Sequence, residues 1–178
     1  MPSAPSRPGA SEYAPYYGTS VAAVPDGDLF ATLSRQVDEL ATLVAPLDDA
    51  RARSRYAPGK WSIKEVLGHI ADTERVFAYR MLRIARGDTT PLASFDQDAY
   101  IPTAKSDERA LRDLVDEIRS VRSATLTLAK SLGDEEWARA GTASGKPVSA
   151  RALAYIIAGH MRHHTGILRD RYLTAPAA

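Results

Sequence analysis

The sequence predicts an all-α fold, a four-helix bundle, on three observations. Apolar residues recur every three or four positions in four separate stretches. Each stretch is bounded by residues that start or stop helices. No stretch alternates apolar and polar residues with the period of two that a half-buried strand requires. The 178 residues are 44% hydrophobic and 25% charged, a length and balance suited to one domain around one core and unlike those of a disordered chain.

The first helix opens after Asp28, carries Leu29, Phe30, Leu33, Val37, Leu40, Leu43 and Val44 on one stripe, and ends at Pro46. The second begins at Ser62, where Glu65 completes a capping box and Trp61 precedes the cap as a hydrophobic staple. Its stripe of Ile63, Val66, Leu67, Ile70, Phe77, Met81 and Ile84 runs to Gly87. The third starts near Ser106 and sets Leu111, Leu114, Val115, Ile118, Val121, Thr125 and Leu128 on one face before Gly133. The fourth starts at Ser149 and stacks Leu153, Ile156, Ile157, His160, His164, Ile167 and Leu168. The link over residues 88–105 is long enough to cross the bundle, so the second and third helices need not be antiparallel.

Ahead of the bundle domain, residues 26–178, lies an arm, residues 1–25. Its five prolines and many small residues predict an extended segment without regular helix. Tyr13, Tyr16 and Tyr17 predict that its second half packs on the domain, with the first ten residues mobile.

Charge excludes two classes of partner. Lys and Arg total 23 against 22 Asp and Glu, which leaves no large field to attract nucleic acid or an anionic membrane. With no cysteine, disulfides, thiolate ligands and a cysteine nucleophile are all excluded, so any metal must use nitrogen and oxygen donors. The N-terminus lacks the apolar core of a secretory signal, and no run of about 18 apolar residues occurs. A cytoplasmic location is the expectation.

Two of the four histidines interrupt an otherwise apolar stripe. His160 and His164, four residues apart, project from the same side of one helix, an arrangement in which two imidazoles can share a metal ion. A buried imidazole is unfavourable unless both ring nitrogens find partners, and coordination satisfies one. His69 borders the core face of the second helix and can meet the pair across the interior. Three protein nitrogens with an open fourth position are the donor set of a catalytic site rather than a closed structural one. Against this stands the chance occurrence of HxxxH on helices and the ordinary fate of a core histidine, a hydrogen bond. His163 points about 60° away from His160 by helical geometry and is set aside as a ligand.

The segments KWSIKEVLGHIADTERVFAYRMLRIARGD, FDQDAY and GTASGKPVSARALAYIIAGHMRHHTGIL, with the EYAPYY arm, resemble the DinB-like, or YfiT-like, metal-dependent enzyme family over nearly the whole chain. The resemblance implies a four-helix bundle of up-down-down-up order and a divalent metal held by His69, His160 and His164. It implies a divalent-metal-dependent transferase or hydrolase, or a transferase or isomerase using a low-molecular-weight thiol of the bacillithiol or mycothiol type, and a homodimer. Three imidazoles suit Zn, Ni, Cu and Fe alike; Zn or Ni is the expectation, with Fe or Mn as alternatives. The competing expectation is a non-catalytic, metal-binding or dimerising stress-response bundle.

Asp72 and Arg80 follow His69 on the same helix. Arg80 is the candidate for a substrate carboxylate through its planar fork. Asp72 is a candidate for supporting the site, although Asp72 or Glu74 paired to an arginine on a solvated face is an equally good reading. Asp96 and Asp98 are placed on the crossover with two readings: both line the cleft, or, as preferred, Asp96 caps a turn while Phe95 and Tyr100 anchor the loop. GTASGKP is not a phosphate loop: Gly141 to Lys146 is one residue short and Pro147 stands where Ser or Thr is required.

Overall fold

The computed structural model describes residues 3–173. Four long helices form the bundle: α2 (Leu29–Val44), α3 (Ile63–Ala85), α5 (Leu111–Lys130) and α7 (Ala150–Ile167). Shorter elements frame them: α1 (Gly18–Ala23), α4 (Gln97–Ala104), α6 (Asp134–Ala138) and the strands β1 (Ala140–Ala143) and β2 (Lys146–Ser149). A π-helical turn, Leu168–Leu173, continues α7. The helix α3 packs on both α5 and α7, and α2 packs on the same two.

The helix starts are set by side chains that satisfy orphan backbone amides. Asp28 accepts from the amides of Phe30 and Ala31. Ser62 and Glu65 form the anticipated capping box on α3. Ser149 accepts from the amide of Ala152 at the head of α7. At the other end of α3, Gly87 takes φ +80°, and the amides of Gly87 and Asp88 turn back onto the carbonyls of Ile84 and Arg83. That left-handed stop favours glycine. Each stripe then supplies the core: Leu29, Leu33 and Leu40 from α2, Ile63, Leu67 and Met81 from α3, Leu114 and Ile118 from α5, and Leu153 and Ile156 from α7 are all buried. A fully buried side chain of this size contributes roughly 1.5–3 kcal/mol.

Five expectations are corrected. The arm is not free of helix: α1 lies on α7, where Gly159 permits the contact. A Cβ built at Gly159 would stand 2.0 Å from the carbonyl oxygen of Ser20. The described part of the first ten residues is packed rather than loose. Pro5 and Pro8 are buried, and Arg7 donates to the carbonyls of Val21 (2.6 Å) and Val24 (2.7 Å). Glu12 then fastens the arm to α7, because Arg151 donates to both its carboxylate oxygens at 2.7 Å and Ser149 Oγ donates at 2.8 Å. Tyr13 and Tyr17 pack on the core as anticipated, whereas Tyr16 is exposed.

The third long helix starts at Leu111 rather than near Ser106, which begins a single 3-10 turn ending at Glu108. The crossover contains a helix, α4, capped by Asp96 through the amides of Asp98 and Ala99. Finally, the segment without strand periodicity forms the β1–β2 hairpin, paired Ala140 to Ser149 through Ala143 to Lys146. Its two-residue turn places Ser144 at φ 53° and Gly145 at φ 71°, the pair of positive φ angles that matches hairpin twist. The crossover joins this hairpin, with the amide of Leu92 donating to Thr142 O and the amide of Ser144 to Leu92 O.

Candidate metal centre

Helix α3 and helix α7 face each other across the bundle, and their inward stripes carry the three histidines to one point. Nε2 of His69 lies 2.9 Å from Nε2 of His160 and 3.2 Å from Nε2 of His164. Among the described residues, these are the one cluster of three or more His, Asp or Glu side chains able to share an ion, with donor atoms all within 4.8 Å. Tetrahedral nitrogen ligands about 2.1 Å from a metal stand about 3.4 Å apart, so small rotamer adjustments admit an ion. His163 is exposed and lies outside the cluster, its ring 5.0 Å from that of His164.

Burial favours the form of the ring that can ligate. It disfavours the imidazolium, pushing His69 down to about 4, His164 down to about 3 and His160 well below its ordinary range. Mutual repulsion among the histidines acts in the same direction. All three rings are therefore neutral at pH 7, each with one lone pair to offer a cation. Apolar rings complete the walls. Trp61 packs on His69 at 4.8 Å between centroids, and Phe77 stands edge-on to His160 at 6.1 Å.

His164 also lines a cleft of about 290 Å³ bounded by Tyr56, Lys60, Trp61, Asp98 and Tyr172. Asp98 thus reaches the cleft while Asp96 caps α4. A larger groove of about 620 Å³ between α2 and α5 holds none of the three histidines, so volume alone does not locate the chemistry.

The other sequence candidates are placed differently. Asp72 is half-buried and pairs with Arg75 at 3.3 Å, and burial raises its pKa. Glu74 is not on a solvated face: it is buried and takes a two-pronged ion pair from Arg122 at 2.7 and 2.8 Å. Arg80 is also buried; its Nη2 donates to Ala93 O (2.7 Å) and Ser144 Oγ (3.0 Å), tying crossover and hairpin to α3. Its guanidinium lies over Phe77 and Phe95. Sequence reasoning missed Arg122, an arginine at a core position of α5 whose only signal is its place inside an apolar stripe.

A model of the DinB superfamily matches residues 32–168. The chain belongs to the DinB superfamily. No curated protein matches it at a significant level. Among solved structures it is similar to YfiT from Bacillus subtilis, described as "a probable metal-dependent hydrolase with an unusual four-helix bundle topology". The TM-score is 0.74 at 16% identity, covering 80% of this chain and 82% of YfiT. A mycothiol-dependent maleylpyruvate isomerase gives a TM-score of 0.67 at 15% identity, covering 89% of this chain but only 64% of the isomerase. At these identities the likeness establishes the shared bundle fold. No helix among the described residues is long and apolar enough to cross a membrane.

Proposed function

We propose that this DinB-superfamily protein is a divalent-metal-dependent enzyme acting on a small molecule, with His69, His160 and His164 as the ligands. The observation that carries this reading is the convergence of three Nε2 atoms, on neutral rings, beside a cleft that His164 lines. The ion we favour is Zn or Ni, with Fe or Mn as alternatives, although three imidazoles do not by themselves select among them. The favoured reaction is transfer or isomerisation with a low-molecular-weight thiol as cosubstrate, in keeping with the mycothiol-dependent relative. A cation held by these rings would lower the pKa of a thiol or water at the open position.

The chain's own residues do the rest. Trp61 and Phe77 exclude water from two of the ligand rings, which strengthens every electrostatic interaction inside. Lys60 and Asp98 offer one charge of each sign at the cleft. Arg80 is the candidate to meet a substrate carboxylate; it stacks over Phe77 at 5.9 Å, one ring removed from His160.

Cobalt substitution tests the reading. Co-loaded protein titrated with N-acetylcysteine develops a new near-ultraviolet absorption if a thiol enters beside the histidines, and H160A does not. Cobalt binding with no thiol-dependent change would favour the non-catalytic metal-binding bundle instead.

A further inference from the structure

Hydroxyl side chains inside helices ordinarily bond the carbonyl four residues back. This bundle does so at Ser34 (to Phe30 O, 2.9 Å), Ser120 (to Asp116 O, 2.9 Å), Thr125 (to Val121 O, 3.0 Å), Thr127 (to Ser123 O, 2.9 Å) and Thr165 (to Met161 O, 2.8 Å). Thr73 departs from the pattern. Its Oγ1 sits 3.3 Å from Nδ1 of His69, the residue four positions earlier, and the side chain is buried. The other face of the same ring carries the Nε2 that meets His160 and His164.

We infer that Thr73 is a positioning residue for His69: its hydroxyl oxygen accepts the Nδ1 proton and so holds Nε2 as the lone-pair donor of the metal centre. The inference rests on the metal reading above. A neutral imidazole carries one proton, and the partner of one nitrogen decides which nitrogen keeps it. Once a cation takes Nε2 the ring proton stands on Nδ1, and Oγ1, a hydroxyl able to donate or accept, accepts it and holds the rotation about χ2. His164 has no such support, since its buried Nδ1 has no hydrogen-bond partner among the described residues. The site is therefore asymmetric. His69 is the braced ligand, and His164, on the cleft side, is the ligand free to adjust when a substrate binds.

The test compares Thr73→Val, which keeps the shape and removes the acceptor, with Thr73→Ser, which keeps the acceptor. Zinc affinity is read by competition with a chromophoric chelator. Loss of such a partner weakens metal binding by about 10- to 100-fold; this is the expectation for T73V, with T73S returning to within a few-fold of wild type. In the zinc-loaded wild type labelled with ¹⁵N-histidine, the His69 Nδ1–H resonance exchanges slowly with solvent, and in T73V it exchanges fast or vanishes. Wild-type zinc binding with an unaltered T73V affinity, or a rapidly exchanging His69 Nδ1–H in the wild type, overturns the inference while leaving the metal centre standing. A wild type that binds no zinc overturns both.

Discussion

Two polar clusters lie in the interior of this bundle, and they are built on opposite principles. Around Arg122 every charge is answered: Glu74 takes Nε and Nη2, while Nη1 donates to Leu33 O and Gln36 Oε1. Gln36 in turn donates to Ala158 O, so the cluster ties α2, α3, α5 and α7 together. Around the three histidines the partner outside the rings is neutral, the Thr73 hydroxyl at Nδ1 of His69. Three ring nitrogens point at one another with no carboxylate or charge partner among them. A closed network specifies packing, whereas converging lone pairs ask for a cation. The same two helices, α3 and α7, supply residues to both clusters, so their rigidity in one serves geometry in the other.

The largest expected effect breaks the closed cluster. Removing Arg122 in R122A leaves Glu74 buried and uncompensated, and the loss is about 3–5 kcal/mol in chemical denaturation. A loss below about 1 kcal/mol would mean that Glu74 finds another partner or water. Replacing both His160 and His164 with Ala should act differently. The folded state remains, but the stabilisation by metal, about 2.7 kcal/mol at a hundredfold excess over the wild-type Kd, disappears from the melting curve. If the double variant still gains stability with metal, the ion binds elsewhere.

The smallest effect concerns the arm that braces α7 beside His160. Arg151 holds the Glu12 carboxyl down to about 2 against an ordinary 4.5. A depressed carboxylate pKa means that the unfolded state binds more protons in this window. The contribution is therefore complete above about 4.5 and is lost as pH falls towards 2. Amide exchange in residues 10–24 should rise over that range in the wild type, and E12Q should show the elevated exchange already at pH 6. Exchange in E12Q equal to that of the wild type at pH 6 would show that Arg7 and α1 alone secure the arm.

The long helices were legible because their caps and stripes are local chemistry: Asp28, Ser62 with Glu65, Gly87 and Ser149 all act as their types suggest. What escaped was set by tertiary contact. The α1 segment is six small or β-branched residues that rest on the backbone gap at Gly159. The α4 helix buries no residue and so writes no stripe. The hairpin strands are four residues each, too short to show a period, and only Ser144–Gly145 marks their turn. The site divides in the same way. Three histidines at helical spacing were visible in the sequence, whereas Thr73 and Arg122 gain meaning only from what faces them across or along the helices.

The central claim is that the three imidazoles take one metal ion, and anomalous scattering from crystals grown after incubation with zinc tests it most directly. The account predicts one strong peak at the zinc edge, about 2.1 Å from Nε2 of His69, His160 and His164 alike. No peak between the three rings at full zinc loading would contradict it.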